Sequence, residues 1–599
     1  MATQFYPGKR LSYDNQLCTV RYHGQVHGTK GSWLGVEWDD PTRGKHSGEH
    51  QGTRYFTCLN PSPTSASFIR PTRKPDPPRT FVQALNAKYA SDPVSNDFED
   101  PDVHIVFATQ PGDNARARNV APAGKINRPI KFSGKVAEEV GFDKIRKQLA
   151  QLEELKIIIL DGLCMWRPEA RGEKWAQGGV LTDVRDACPK VVELDLSRNL
   201  FEEWREVAAV CEQLERLRSL RIDGTRFRDT SLTDAEKERC LKAFANIRTL
   251  KLDDTLLPWE DIARMTHFFP VLSTFSASSN LYTALTSHVL NPTVVDLTLE
   301  DNHITSLSAM SSLTKLPNLQ RLILKQNKIS EIASSGSSPP KFPATLKEID
   351  LSFNEISTWR FLDNLPSVFP GMTSLRVSHN PLYESLQAPD GRALTADDGY
   401  MLTLARLGSL TTLNHSPIND KERLNAESYY LSMIAKEAQF APENLREQIL
   451  KSHPRYAWLC EEYGEPTIHG AANAVNPNSL AARLLRITFR LAASGDTFDA
   501  EIPMSCTAYT VLGLVGKHFS VEPMRCKLVW ETGDWMSARK SMASVVDDDW
   551  DSDDEGAEMG MERIMREVEV VPGTRSIGTW IDGTEAVVRV EVKLEERYM

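Results

Sequence analysis

The chain has 599 residues and a mass of 67.2 kDa, a length that favours about three to five domains over one. Hydrophobic residues make up 41% of the chain and charged residues 25%, which excludes wholesale disorder. The formal net charge of −11 argues against a general nucleic-acid coat or a binder of anionic membranes. The nine cysteines are scattered, which predicts reduced thiols and no zinc site. The apolar runs are short and the amino terminus lacks a signal-peptide stretch, so we expect a soluble, intracellular protein.

Shifts in composition divide the chain into five segments. Residues 1–72 are rich in glycine and aromatic side chains, and 73–140 have the proline, acidic and basic runs of a linker. A leucine-patterned array occupies 141–440, a helical and polar linker follows at 441–480, and a last domain covers 481–599.

The first segment predicts a small β domain. Its apolar runs, Arg10–Tyr22, Trp33–Trp38 and Arg54–Thr57, predict strands separated by glycine-containing turns. So many glycines in a small β module indicate a backbone that turns sharply or lets another chain approach closely.

Two strings in this segment resemble a CAP-Gly domain. They are Trp33-Leu-Gly-Val-Glu-Trp38 and the run from Gly44 through Gln51-Gly-Thr-Arg-Tyr-Phe56. Members of that family carry a G-K-N-D-G loop and a Q-G-x-x-Y-F strand, and the likeness covers essentially the whole module. This chain has His46 and Ser47 in place of the loop's Asn and Asp, and His27-Gly28 where many members have an aromatic residue.

The resemblance implies a site for extreme carboxyl termini of the type Glu-Glu-Tyr/Phe, above all that of α-tubulin. Lys45, held between Gly44 and Gly48, would offer its ammonium group to the terminal carboxylate. Trp33 and Phe56 would line the slot for the terminal ring, and His46 would act in a pH-sensitive way. The alternative is a β domain that serves only as a packing spacer.

Residues 141–440 contain an internal repeat with the frame L-x-x-L-x-L-x-x-N-x-L. Eight copies begin 22 to 30 residues apart, and six of them carry asparagine at the N position. The L-x-L core predicts a short strand, and the asparagine is expected to bond buried backbone groups of the following turn. We call the residues at this N position the asparagine column: they are Asn199, Thr225, Thr255, Asn280, Asn302, Asn327, Asn354 and Asn380.

Such copies predict an α/β leucine-rich-repeat solenoid with a parallel sheet on its concave face. The segment Ile418–Leu431 predicts a helix with a polar outer face that resembles the carboxyl-terminal cap of these proteins. A long curved surface of mixed charge suits a folded protein partner, the alternative being a merely solvated face. Its candidate residues are Asp195, Arg221, Lys251, Ser276, Thr298, Ile323, Asp350 and Arg376.

The last domain resembles ubiquitin-like β-grasp domains. Alternation predicts strands at Leu485–Leu491, Phe498–Ile502, Lys527–Trp530 and Val588–Leu594, with a helix over Thr507–Phe519. The sequence lacks a terminal Gly-Gly pair, so we expect a binding module and not a conjugated modifier.

An acidic insertion near 545–560 interrupts this domain. It predicts a self-repelling loop, and a calcium site is a weaker alternative because the spacing lacks the glycine and distal glutamate of an EF-hand. Protease, hydrolase, kinase and dinucleotide signatures are missing from the sequence, which favours a protein that is not an enzyme and needs no cofactor or metal.

The order of CAP-Gly domain, leucine-rich repeats and ubiquitin-like domain resembles the tubulin-folding cofactor E family. The resemblance implies a cytoplasmic, cytoskeleton-associated chaperone that captures α-tubulin and acts on the αβ-tubulin dimer. Its implied partners are the cofactor D·β-tubulin complex, cofactor C and cofactor B, with proteasome or ubiquitin-pathway proteins as further candidates. Two alternatives stay open, a microtubule-tip adaptor that relies on the first domain and a ubiquitin-pathway shuttle that relies on the last.

Overall fold

A computed structural model describes residues 5–90, 131–132, 135–136, 152–168, 182–389, 391–466, 484–537, 563–581 and 583–593. The chain forms two compact units, which are described separately. The first contains Met1–Leu281 and His288–Thr298, and the second contains Tyr282–Ser287 and Leu299–Met599. The acidic insertion and most of the segment predicted as linker at 73–140 lie outside the described residues.

The first unit begins with a four-stranded antiparallel sheet. Its strands, in spatial order, are Arg10–Tyr13 (β1), Gln16–Gln25 (β2), Ser32–Trp38 (β3) and Ala66–Ile69 (β6). The prediction of one strand over Arg10–Tyr22 was wrong, because Asp14 and Asn15 adopt positive φ and turn the chain into a hairpin. The core of this sheet consists of Leu11, Tyr13, Cys18, Val20, Leu34, Val36, Trp38 and Ile69.

Part of the predicted linker is ordered structure. Arg79–Thr80 (β7) pairs in parallel with Met165–Arg167 (β11), and Phe81–Leu85 (α1) follows, continued by a π-helical turn over Asn86–Ala90. Thr80 begins the helix with a capping box shared with Gln83. Phe81 and Leu85 are fully buried. These apolar side chains, which stand among prolines and charged residues in the sequence, cover the end of the repeats.

Two further short strand pairs are Glu49–His50 (β4) with Thr53–Arg54 (β5), and Lys131–Phe132 (β8) with Lys135–Val136 (β9).

The rest of the first unit is a parallel array of three-residue strands. In each strand the middle, framework side chain is buried, and the strands pair in order without a register shift. They are Ile157–Ile159 (β10), Glu193–Asp195 (β12), Ser219–Arg221 (β13), Thr249–Lys251 (β14), Thr274–Ser276 (β15) and Asp296–Thr298 (β16). The helices that close the coils are Asp183–Ala187 (α2), Trp204–Cys211 (α3), Asp234–Ala243 (α4) and Trp259–Thr266 (α5).

The second unit continues the same pattern and then ends it. Its strands are Arg321–Ile323 (β17), Glu348–Asp350 (β18), Ser374–Arg376 (β19), Thr412–Leu413 (β20) and the antiparallel Ser416–Pro417 (β21). Its helices are Trp359–Val368 (α6), Ala396–Arg406 (α7), Asp420–Phe440 (α8), Glu443–Ser452 (α9) and Tyr456–Tyr463 (α10). Helix α8 includes the predicted cap, with Tyr429 and Tyr430 buried. The helical part of the predicted linker at 441–480 corresponds to α9 and α10.

The asparagine column bonds successive coils to each other. The Asn354 amide nitrogen donates to the carbonyls of Leu324 in the previous coil, at 3.0 Å, and of Leu351 in its own, at 3.1 Å. Its amide oxygen accepts from the Ile329 backbone N–H at 3.0 Å. Asn199, Asn327 and Asn380 repeat this arrangement.

The two threonine copies of the column differ from each other. The Thr255 hydroxyl donates to the Leu252 carbonyl at 3.2 Å, which is one of the bonds that an asparagine makes at this position. The buried Thr225 hydroxyl has no hydrogen-bond partner among the described residues, so threonine takes over part of the asparagine's hydrogen bonding in one copy only.

The last domain is a five-stranded mixed sheet with one helix packed on it. The strands are Leu484–Leu491 (β22), Thr497–Pro503 (β23), Cys526–Ser537 (β24), Arg563–Val570 (β25) and Glu585–Val592 (β26), in spatial order β23-β22-β26-β24-β25. The helix is Ala508–Phe519 (α11), and it contributes Val511, Leu512 and Val515 to the core. Strand β25 was not predicted, although Val568 and Val570 alternate there with charged residues and are buried.

We expect Asn354→Ala to destabilise the repeats, because it leaves a buried N–H and at least one buried carbonyl without a partner. At about 1–3 kcal/mol for each unsatisfied group, the loss is at least about 2 kcal/mol, measured as a fall of several degrees in the thermal midpoint. Asn364→Ala on the exposed face of α6 is the matched control and should change little. Equal midpoints for the two variants would contradict the assigned role of the column.

Candidate functional site

The candidate site lies on the outer face of the first sheet, where a glycine interrupts strand β3. Leu34, Val36 and Trp38 point into the core, so alternation places Trp33 and Gly35 on the outer face. A Cβ atom at Gly35 would come within 2.3 Å of the Phe56 ring. Glycine is therefore required there, because it lets the Phe56 ring lie against the strand.

Aromatic side chains surround this glycine. Tyr22 on β2 and Phe68 on β6 pair with Gly35 from the two neighbouring strands. The ring centroids of Phe68 lie 5.9 Å from Phe56 and 5.5 Å from Tyr55, both in edge-on geometry, and Tyr22 lies 5.3 Å from Tyr55. The result is a cluster of four aromatic rings at one end of the sheet face.

Trp33 lies two residues before Gly35 on the same strand and sheet face. Its side chain is half-buried, and its indole N–H donates to the Thr29 hydroxyl at 2.7 Å. The guanidinium carbon of Arg70 lies 3.6 Å from the centre of its ring, a cation–π contact. Arg70 also donates to the Lys30 carbonyl at 2.5 Å, which holds the guanidinium over the indole.

The loop that carries Lys45 is shaped by two glycines. A Cβ at Gly44 would lie 2.3 Å from the Thr64 carbonyl oxygen, and one at Gly48, where φ is +98°, would lie 2.2 Å from the Phe56 oxygen. The Lys45 backbone N–H donates to the Ala66 carbonyl at 2.7 Å. These contacts anchor the loop to β6 and leave the Lys45 side chain exposed.

The charge around the loop favours an anionic ligand. Residues 7–74 contain ten lysines and arginines against five aspartates and glutamates, a net charge of +5 in a chain whose total is −11. In the described part of the chain, no acidic side chain pairs with the Lys45 ammonium group. An exposed, unpaired cation beside an aromatic cluster can bind a carboxylate and a ring together.

His46 is held in its neutral form. The Gly48 backbone N–H donates to His46 Nδ1 at 3.0 Å, which assigns the ring proton to Nε2. Burial, with a further contribution from His50, lowers the pKa of His46 below its ordinary value of 6.5. The ring also lies 4.7 Å from Phe68, so it extends the aromatic cluster.

Sequence reasoning found part of this site and missed part. Gly48, His46 and Phe56 come together around Phe68, and Trp33 lies on the same sheet face. The residues it missed are Tyr22, Tyr55, Phe68 and Arg70. Tyr55 stands inside the matched Q-G-x-x-Y-F string, whereas the other three are recognisable only once strand register is known.

The residues predicted for the concave face occupy equivalent positions on successive strands, but they differ in exposure. Arg221 is exposed, whereas Asp195, Lys251, Thr298, Ile323 and Arg376 are half-buried. Ser276 and Asp350 are buried; the Asp350 carboxylate accepts from Ser352 and pairs with Arg376 at 2.7 Å. Asp350 therefore positions Arg376 and is itself hidden from solvent.

One carboxyl group just after strand β13 has a strongly shifted pKa. Burial, followed by repulsion from Asp253, raises the pKa of Asp223 to about 6, against the opposing effect of Arg221. Within the described residues, no group of three or more histidine, cysteine or acidic side chains has the spacing of a metal site. Over the same residues, no helix has the length and apolar character needed to cross a bilayer.

The sheet, the glycine-shaped loop and the aromatic cluster define a CAP-Gly protein, and residues 7–74 match the CAP-Gly domain family. Over most of its length the chain is similar to tubulin-specific chaperone E of Homo sapiens, at 31% identity over 542 residues, 88% of this chain and 92% of the relative. The Bos taurus relative is 29% identical with the same coverage. Tubulin-folding cofactor E of Arabidopsis thaliana is 28% identical over 80% of this chain and 82% of its own length. The chain belongs to the tubulin-specific chaperone E family.

We expect the loop to lose stability in mild acid. Because the folded protein holds His46 neutral, the unfolded chain binds the extra proton more readily, and stability falls as the pH drops below about 6.5. An NMR titration should show the pKa of His46 below its ordinary value of 6.5, with the Gly48 amide shifting in step. An ordinary or raised pKa for His46 would refute this assignment.

Proposed function

We propose that this tubulin-folding cofactor captures α-tubulin at two points, with the CAP-Gly slot on the carboxyl-terminal tail and the repeats on the folded body. The observation that carries the proposal is the exposed Lys45 beside the aromatic cluster, in a domain of net charge +5. An acidic tail that ends in a free carboxylate and an aromatic side chain matches both features.

For the tail, Lys45 binds the terminal carboxylate, a charge-assisted contact of about 1.5–3 kcal/mol. Phe56, Tyr55 and Phe68 form the wall against which the terminal ring packs, adding about 0.5–1.5 kcal/mol per aromatic pair. The close backbone packing at Gly44 and Gly48 holds the loop so that Lys45 faces solvent. His46 stabilises the loop by accepting a hydrogen bond from the Gly48 backbone N–H. Acidic residues upstream of the ring are attracted to the positive charge of the domain, including Arg70 above Trp33.

For the body, the exposed and half-buried residues predicted for the concave face form a surface of mixed charge. Arg221 and Lys251 stand on adjacent strands, with Asp195 beside them and Thr298 two strands further on. Short strands of fixed spacing suit a rigid protein surface better than a small ligand. Arg376 holds the equivalent strand position in the second unit.

We assign the last domain to the ubiquitin-like β-grasp fold on its strand order and single helix. The outer face of its sheet is crossed by ion pairs, including Arg589 with Glu567 at 2.6 Å and Arg490 with Glu531 at 2.5 Å. A charged face of this kind suits a folded partner, for which we propose a second tubulin cofactor. Proteasome or ubiquitin-pathway proteins are the alternative partners.

The overall role we propose is non-enzymatic and cytoplasmic. The cofactor holds α-tubulin for assembly with the cofactor D·β-tubulin complex, in concert with cofactors C and B, and can draw the αβ-tubulin dimer apart. The domain boundaries follow the sequence segments, except that residues 79–90 join the repeats.

Lys45→Ala should weaken binding of a tail peptide with a free carboxyl terminus by roughly 10- to 100-fold, the factor that corresponds to one charge-assisted bond. Removing the last residue of the peptide should have a similar effect on the unmodified protein. Titration calorimetry measures both, with Lys237→Ala on helix α4 as the control. Unchanged affinity in both tests would remove the tail from the mechanism.

Gly35→Ala tests the slot without changing charge. The added methyl would displace the Phe56 ring, so tail affinity should fall at least tenfold while the domain stays folded by circular dichroism. Gly513→Ala in helix α11, where a Cβ meets nothing within 4 Å, is the control. Retained affinity in Gly35→Ala would mean that the terminal ring binds elsewhere.

The rival functions predict different results with whole tubulin. The proposal expects a complex that contains α-tubulin without β-tubulin. Co-pelleting with microtubules without loss of dimers would favour a tip adaptor, and proteasome binding that survives deletion of residues 1–72 would favour a shuttle.

A further inference from the structure

A buried ionic junction joins the CAP-Gly domain to the first repeats. The Arg10 side chain is fully buried, and its two terminal nitrogens each donate to an oxygen of Asp39 at 2.6 Å. One of these nitrogens also donates to the Asn199 carbonyl, at 3.4 Å, in the asparagine column of the repeats. Although burial alone would raise it, Arg10 holds the pKa of Asp39 below its usual value, so the pair stays charged.

Glu202 is the repeat residue at the centre of this junction. Its carboxylate accepts from the Arg10 backbone N–H at 3.2 Å and from the Tyr6 hydroxyl, and it pairs with Lys9 at 3.0 Å. Burial and Glu202 raise the pKa of Tyr6, which keeps its phenol protonated and able to donate. Three CAP-Gly residues therefore converge on a single, mostly buried carboxylate of the repeats.

The chain that leaves the CAP-Gly domain is also fixed. Asp76 accepts from Ser12 at 2.5 Å and from the Asn15 backbone N–H at 2.8 Å. Three residues later β7 pairs with β11, and the buried face of α1 follows. The slot is therefore joined to the repeats both through space and through a short, structured segment.

We propose that Glu202, Arg10 and Asp39 are positioning residues that hold the tail slot at a fixed distance and angle from strands β10–β16. The inference rests on the proposed two-point capture and replaces a flexible connection between the two points with a rigid one. A rigid connection makes the tail slot and the repeats one composite surface. Once the slot holds the tail, the repeats meet the body at a higher effective concentration than a flexible linker would give.

The test separates tail affinity from affinity for whole tubulin. Glu202→Ala removes the junction from the repeat side and leaves Lys45 and the slot intact. We expect unchanged affinity for the tail peptide and at least a tenfold loss for the αβ-tubulin dimer. The matched control is Glu212→Ala, which removes another glutamate of the first unit, paired with Arg239 and lying within the repeats, and should change neither affinity.

A disulfide across the junction provides a second test of the geometry, and the thermal midpoint of each variant shows whether stability changes with it. Ser12 and the native Cys164 are both buried. Asp76, which accepts from the Ser12 hydroxyl at 2.5 Å, stands three residues before Arg79, whose backbone N–H donates to the Cys164 carbonyl at 2.9 Å. In the Glu202→Ala background, Ser12→Cys should restore dimer affinity when oxidised and lose it again in reductant.

Each outcome decides the proposal. If Glu202→Ala leaves the affinity for the αβ-tubulin dimer unchanged, the positioning role is overturned. The same holds if Glu212→Ala lowers that affinity equally. A parallel fall in peptide affinity would also overturn it, because the residue would then shape the slot itself. If the unmodified protein ignores the free carboxylate of the peptide, the proposed function fails first and this inference falls with it.

Discussion

The repeats depend on one interaction, the hydrogen bonds of a buried amide between consecutive coils. A three-residue strand is too short to hold its coil in place, and each turn after it would bury carbonyl groups without partners. A single asparagine bonds two coils, as Asn354 does with Leu324 and Leu351. Because the amide stands at one fixed position in six of the eight copies, the paired strands of each unit keep one register, and the residues predicted for the concave face follow at one position per strand.

Much of this architecture could be predicted because its signals are local. The repeat frame, the cap helix and the glycine-flanked Lys45 each lie within about thirty residues of sequence, where periodicity and turn chemistry act directly. The same holds for the alternating strands β22 and β26. The slot residues closest to the loop, such as Lys45, His46 and Phe56, could be predicted because they lie in one continuous stretch of sequence.

The features that could not be predicted depend on contacts between distant residues. Tyr22 and Phe68 belong to the site only because their strands pair with β3 at Gly35. The burial of Asp350 depends on Arg376 in the next coil, and the order of residues 79–90 depends on a strand more than eighty residues away. Phe353 adopts φ +56° with its ring stacked 4.2 Å from His379, a conformation that is costly for a bulky residue and that the repeat frame does not reveal.

The parallel pairing of Arg79–Thr80 with Met165–Arg167 affects how the chain tolerates shortening. A fragment that started after residue 90 would expose the backbone of Met165–Arg167 and uncover the apolar surface against which Phe81 and Leu85 pack. Unpaired edges of this kind invite association with other chains. Loss of the amino-terminal ninety residues would therefore produce an aggregation-prone remnant, and not simply a cofactor that has lost its hold on the tail.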